Sequence, residues 1–326
     1  MENFRYIDFQ RARDFSNKMN ATFEFVKQNF KSLWRVMLYL VGPPALIGSL
    51  LIGSVMGDYF KALFGSLGGS NGFTEIFTLN VIIKLVLALI VATITSVITM
   101  ATINNYVILY REKKSNQIEV EEVWERVKKT FWMYFWTVLG WFVLAIAAYI
   151  VMIIPFAALG LGSAGLAFIL ILILICAFFY LVVANSLVFI IRGFESRGFF
   201  GSFARSMYLI RGKWWSTFGL FTIFYLIITI ISSLFFLPWY FSRVISSLHD
   251  VSQGRPVVDL GSDWFGILST TLQYLTSYLM AVLPQLALIF QYFNLVERKE
   301  SRGLMEKMGS LGSGENANTN TSAEHY

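Results

Sequence analysis

Six apolar stretches alternate with short polar ones along the chain, at about residues 36–57, 79–110, 132–155, 161–191, 215–240 and 265–296. Each reaches the roughly 20 residues that carry a helix across a hydrocarbon core about 30 Å thick. The second, fourth and sixth run to about 30 residues, or about 45 Å of helix, and so predict tilt or protrusion into water. Residues 1–35 differ: charges are mixed with apolar residues at helical spacing, among them Phe15, Met19, Phe23, Val26, Phe30 and Leu33. The spacing recurs before the third stretch at Val120, Trp124, Val127 and Phe131, and before the fifth at Phe203, Met207, Ile210 and Trp214. Such segments predict amphipathic helices in the membrane interface, apolar face inward and Lys or Arg toward anionic head groups. The polar, small-residue stretch from 303 to 326 predicts a disordered tail. The expected fold is therefore an all-α integral membrane protein, with an amphipathic segment over 1–35 and a six-helix domain over 36–302.

The pattern also repeats. An offset of 83 places Trp132 over Trp215 and Pro155 over Pro238, with the apolar register kept upstream. The even stretches close alike, on NNYVILYREKK, NSLVFIIRGFESR and QYFNLVERKESR, so that Asn105, Asn185 and Gln291 each precede a basic residue by six or seven positions. The predicted unit is an interfacial helix, an odd membrane helix and a long even membrane helix with an amide near its end. Three such units in parallel predict a pseudo-threefold arrangement. The first unit matches least well, because Pro43 and Pro44 follow Trp34 so closely.

Composition agrees with lipid as the solvent: 56% hydrophobic, 17% aromatic and only 14% charged, where soluble domains average about 25% charged. The net charge of +6 raises the question of nucleic acid, but 22 of the 26 basic residues fall in the N-terminal segment, the second and fourth connections and the C-terminal tail. By the positive-inside rule that side is cytoplasmic, which predicts both termini in the cytoplasm and no nucleic-acid partner. The N-terminal segment has no apolar core or small-residue cleavage site, so no cleaved signal peptide is expected. The single cysteine, Cys176, lies in an apolar run and reads as a small buried hydrophobe.

Candidate chemistry is sparse. His249 stands beside Asp250 in the fifth connection and His325 in the tail, isolated from any cluster that would hold a metal or act as a base. The glycines of 65–72 and 158–165 read as loops, and no phosphate-binding or nucleophile motif is present. The expectation is no enzyme activity, no metal and no cofactor. Polar residues inside the spans are amides and hydroxyls, which between helices act as hydrogen-bond glue worth about 0.6–2 kcal/mol each. A sharper reading gathers Asn105, Asn185 and Gln291 around one cytoplasm-facing cavity for a lipid head group or anionic solute. Lys84, about one turn into the second stretch, joins them as a candidate or simply snorkels to the interface.

FARSMYLIRGKWWSTFGLF and FQYFNLVERKESRGL, about a tenth of the chain, resemble the six-helix membrane domain that some bacterial glycerophosphodiester phosphodiesterases carry ahead of their catalytic barrel, and related uncharacterised bacterial membrane proteins. The resemblance implies a membrane-embedded accessory domain in a bacterial inner membrane. It carries over no phosphodiesterase chemistry, since that belongs to the absent barrel. The expected function is a non-enzymatic scaffold or accessory subunit that organises lipids or a protein partner. The alternative is a transporter or lipid-handling protein built on the cavity, and a membrane enzyme ranks third.

Overall fold

The computed structural model describes residues 5–67, 78–158, 164–252 and 264–301, with Met305 and Met308, and these form helices and their connections. Helix α1 spans Phe15–Val36. Asp14 starts it, its side chain accepting the Asn17 N–H at 2.9 Å in place of a helical acceptor. Through the π-helical turn Met37–Val41 it runs on into α2, Gly42–Leu67. The wide turn lies just ahead of Pro43 and Pro44, which have no N–H for the carbonyls four residues back. Helices α3, Leu79–Lys113, and α4, Val120–Ala158, are unbroken. In α4 the amphipathic start and the third apolar stretch form one rod of 39 residues.

The fourth stretch is two helices, α5 at Ala164–Ala184 and α6 at Val188–Glu195. Around Asn185 the ladder tightens, with Val188 N–H donating to Asn185 O at 3.1 Å. That leaves Ala184 O without its helical donor, and Ser206 Oγ supplies one at 2.7 Å. After α7, Phe199–Ile210, Gly212 at φ +82° makes a turn that a side chain would disfavour and separates α7 from α8, Trp214–Ser252. The sixth stretch also divides, into α9, Trp264–Met280, and α10, Val282–Glu300, with Ala281 between them. Pro284, in the first turn of α10, has no N–H to offer Met280 O, which favours a break there. His249 sits exposed on the last turns of α8 rather than in a loop. The glycines at 68–72 and 159–163, His325 and the tail from 309 lie outside the described residues.

Among the described residues, six helical spans are long and apolar enough to cross a membrane. Helix α2 packs between α3 and α9, α9 also against α8, and α3 against α4, while α5 touches α4 and α8. Small residues set the closest approach: a Cβ on Gly53 of α2 would lie 3.0 Å from both Ile267 O and Thr271 Oγ1 of α9. Between Leu172 and Leu181, α5 exposes every residue but Leu174, as suits a surface solvated by acyl chains.

At the centre stands α10, buried from Val282 to Val296 except at Pro284 and packed by α1, α3, α6, α7 and α8. Helix α1 crosses beneath it. Phe23 meets Phe224 of α8 at 5.2 Å, Phe25 meets Phe290 of α10 at 6.2 Å, and Asn29 and Ser32 reach Tyr106 of α3. Residues 5–14 then fold under the bundle, where Phe9 is wholly buried and stacks on Phe290 at 4.6 Å. Among the described residues, three non-glycine ones take the left-handed conformation, Lys114, Ser196 and Ser301, and they end α3, α6 and α10.

Candidate functional site

The polar side chains of the spans concentrate where α10 meets α1, α3 and α8. Gln285, Gln291 and Asn294 are separated by six and three residues, so at about 100° per residue they leave α10 in different directions and meet different neighbours. Gln285 Nε2 donates to Asn104 Oδ1 of α3 at 3.2 Å, and Asn104 Nδ2 donates to Tyr134 Oη of α4 at 2.9 Å and to Phe189 O of α6 at 3.3 Å. Four helices are thereby tied through one amide. Gly193 makes the approach possible, since a Cβ there would overlap Tyr134 Oη. Asn294 Oδ1 accepts Arg13 N–H at 2.8 Å and Arg298 Nε at 3.1 Å, which pins the N-terminal segment to α10.

Gln291 is fully buried and joins α10 to both α1 and α8. Its Oε1 accepts Lys18 Nζ at 2.6 Å, and its Nε2 donates to Thr217 Oγ1 at 2.9 Å. Lys18 also donates to Ser216 Oγ at 2.9 Å and is itself only 2% exposed. Gln291→Leu removes an acceptor from a buried cation and a donor from a buried hydroxyl. We expect a loss of about 1.5–3 kcal/mol in thermal unfolding in detergent, with the larger part recovered in the double variant that adds Lys18→Met. No recovery in the double variant would show that packing, not the orphaned charge, carries the loss.

The other sequence candidates bond to other partners. Asn105 donates to Thr130 Oγ1 of α4 at 2.8 Å. Asn185 donates to Leu181 O of its own helix at 2.9 Å, and its Oδ1 has no hydrogen-bond partner among the described residues. Lys84 pairs with Asp58 of α2 at 2.8 Å, both side chains partly exposed. Among the described residues no hydrogen bond joins any two of Asn105, Asn185, Gln291 and Lys84.

One charged cluster had no sequence signal. Glu195, at the end of α6, is almost buried and receives Tyr292 Oη at 2.8 Å and Arg205 Nε at 3.2 Å, with Arg197 Nε 2.7 Å away. Arg205 also bonds Glu300 at the end of α10. These contacts span 10, 95 and 97 residues of sequence, and nothing local marks them. The bond to Glu300 outweighs desolvation and, with Glu195, raises the Arg205 guanidinium above its already high ordinary value, so it stays charged. Arg111 of α3 lies 4.6 Å over the Phe293 ring. This ion cluster closes α6, α7 and α10 together, and chemically it is a clasp.

Six apolar spans, the last ending in the buried helix α10, are tied by amides and one ion cluster and define a helical membrane protein. The sequence profile of the family described as "Domain of unknown function (DUF8558)" matches residues 71–259, more than half of the chain, and the chain belongs to that family. No curated protein and no solved structure matches it.

Proposed function

We propose that this protein is a non-enzymatic scaffold or accessory subunit of a bacterial inner membrane, with both termini cytoplasmic, that organises lipids or a partner protein. The observation that carries this reading is the occupied centre. Ala287, Ile289, Phe290 and Gln291 of α10 are fully buried, and most of the polar groups beside them are bonded to one another. A rigid, filled interior suits a platform whose work is done at its surfaces. The reading also takes the chain as three parallel units. Its support is the recurrence of a left-handed residue three or four positions after Arg111, Arg192 and Arg298, at the end of each even segment. The interfacial role of α1 draws support from its outward Phe30 beside Lys27 and Lys31, while Lys18, Thr22 and Asn29 face the bundle. The resemblance to phosphodiesterase membrane domains points to an accessory role as well.

The transport reading has one observation in its favour, the break at Asn185 with its unpaired oxygen. Thiol accessibility decides between them. In a Cys176→Ser background, needed because Cys176 is exposed, Ala287→Cys in intact membranes is expected to stay unmodified by a small hydrophilic thiosulfonate. Rapid modification would put water at the centre of the bundle and sink the filled-core reading. Purification in a mild, lipid-retaining detergent followed by mass spectrometry then identifies what the platform holds.

A further inference from the structure

The second even segment differs from the other two in what its polar groups find. Asn105 and Gln291 each bond another helix, the first through Thr130 and the second through Lys18 and Thr217. Arg298 donates to Asn294 Oδ1 and Arg13 O, and Arg111 lies over the Phe293 ring. The corresponding Asn185 and Arg192 are not engaged in this way. Asn185 is 1% exposed, and its Oδ1 accepts no hydrogen bond among the described residues. Arg192 is part-exposed, but its Nε is buried and donates to nothing among them. The carboxylate three residues on, Glu195, is committed to Arg205, Arg197 and Tyr292.

Other donors lie at the same break. Tyr134 is within electrostatic reach of Arg192, and its Oη packs against Gly193, the next residue. The ring is 1% exposed and its oxygen accepts Asn104 Nδ2, so its own hydroxyl proton has no acceptor among the described residues. Ser186 Oγ, inside the α5–α6 break, is buried and unpaired there as well. So is Ser202 Oγ, one turn before the Ser206 that bonds Ala184 O. Unpaired buried groups in a native protein mark the place of an absent partner, and a charged one is the most costly to leave alone. Here a guanidinium and three hydroxyls have protons to give, against one amide oxygen to take them. That excess of donors selects an anion, and a guanidinium fork matches phosphate oxygens. The exposed apolar run of α5, Leu172–Leu181, leads to this break from the hydrocarbon side.

We propose that the α5–α6 break binds an anionic phosphate group, held by Arg192 with the Tyr134 hydroxyl beside it and supplied by a phospholipid head group or a soluble phosphate. This deepens the lipid-organising reading and rests on the chain being embedded in a bilayer.

The test uses the full chain, delipidated in detergent, with thermal unfolding and native mass spectrometry read against added phosphatidylglycerol, phosphatidylcholine and inorganic phosphate. Without lipid, Arg192→Met is expected to unfold no earlier than wild type, because it removes a charge that nothing balances. Wild type is expected to retain one phosphatidylglycerol in preference to phosphatidylcholine, whose phosphate carries its own cation. Arg192→Met is expected to weaken that retention about tenfold or more, and Arg192→Lys, which keeps the charge without the fork, by less. Lys128→Met, at an exposed basic site on α4, is expected to leave it unchanged. Displacement of the lipid by inorganic phosphate supports the site and assigns it a soluble ligand, whereas a lipid that stays assigns it the head group. A lipid-free Arg192→Met that unfolds earlier than wild type would give the guanidinium an internal partner and overturn the site. Equal retention of the two lipids, or an equal loss in Lys128→Met and Arg192→Met, would overturn it by reducing binding to a general basic field. None of these results moves the Ala287→Cys accessibility, so the site and the scaffold reading fall separately.

Discussion

Glu195→Leu is expected to lower the stability of the folded protein by about 3–5 kcal/mol, because it takes one of two carboxylate partners from a buried guanidinium and the acceptor from Tyr292 Oη. The side chains of Glu195 and Arg205 are only 7% and 8% exposed, and the carboxylate also receives Tyr292 and lies against Arg197. Glu300 remains as a partner for Arg205 but cannot replace the two bonds that Arg205 makes to Glu195 Oε1. In mild detergent the loss should appear as a fall of about 5 °C or more in the unfolding midpoint followed by tryptophan fluorescence. The double variant Glu195→Leu with Arg205→Met should recover a large part of it, since a buried pair replaced as a unit is often close to neutral. An unchanged midpoint in the single variant would show that the cluster holds nothing together.

The pH dependence of the Arg205 contribution follows from the same contacts. Its folded pKa is raised, first by Glu300, above an already very high unfolded value, so its stabilisation is complete below that unfolded value and is lost only as pH rises through the still higher folded one. Between about pH 6 and pH 9 the Arg205 contribution is expected to be flat. A contribution that falls steeply within that window would contradict a permanently charged Arg205.

Phe9→Ala is expected to cost a comparable amount, about 3–5 kcal/mol, and to act locally. Phe9 is wholly buried and meets Phe25 at 5.5 Å, Tyr110 at 6.1 Å, Phe290 at 4.6 Å and Phe293 at 5.6 Å. The rest of the segment is held by polar bonds, Ile7 N–H to Tyr110 Oη at 3.0 Å and Arg13 N–H to Asn294 Oδ1 at 2.8 Å. Without the ring the segment keeps only Ile7, which is buried, and Tyr6, stacked on Tyr110 at 5.3 Å, as apolar anchors. Hydrogen exchange of residues 7–14 should therefore accelerate strongly while α10 stays protected. If both accelerate together, residues 5–14 unfold only with the whole bundle; if neither does, Phe9 is not the anchor.

The six spans were legible because a bilayer demands long apolar runs, and no tertiary contact can substitute for that length. The even-segment endings were legible for a related reason: chain leaving the membrane turns polar, and Lys114, Ser196 and Ser301 follow the recurring arginine by three or four residues. The breaks were less so. The division at Ala281 agrees with Pro284, but that at Asn185–Leu187 is completed by Ser206 from another helix, and no local pattern announces a donor 22 residues away. Lys18 read as one of the basic residues that an interfacial, amphipathic segment turns toward head groups, whereas the crossing of α1 beneath α10 turns it inward onto Gln291.

What the sequence determined by itself is the class of solvent, the number of helices long and apolar enough to span it, and where their capped ends fall, since these depend on local length and local polarity. Only the tertiary structure decided which helix stands in the middle. The last span is the least hydropathic of the six and by far the most buried, while the more apolar ones face outward. In lipid an apolar surface needs no partner, so helices are drawn inward by their amides and small residues rather than by their leucines. Which amide then meets which neighbour depends on rotation about α10, and that was set when Gln285, Gln291 and Asn294 found Asn104, Lys18 and Arg13 from distant parts of the chain.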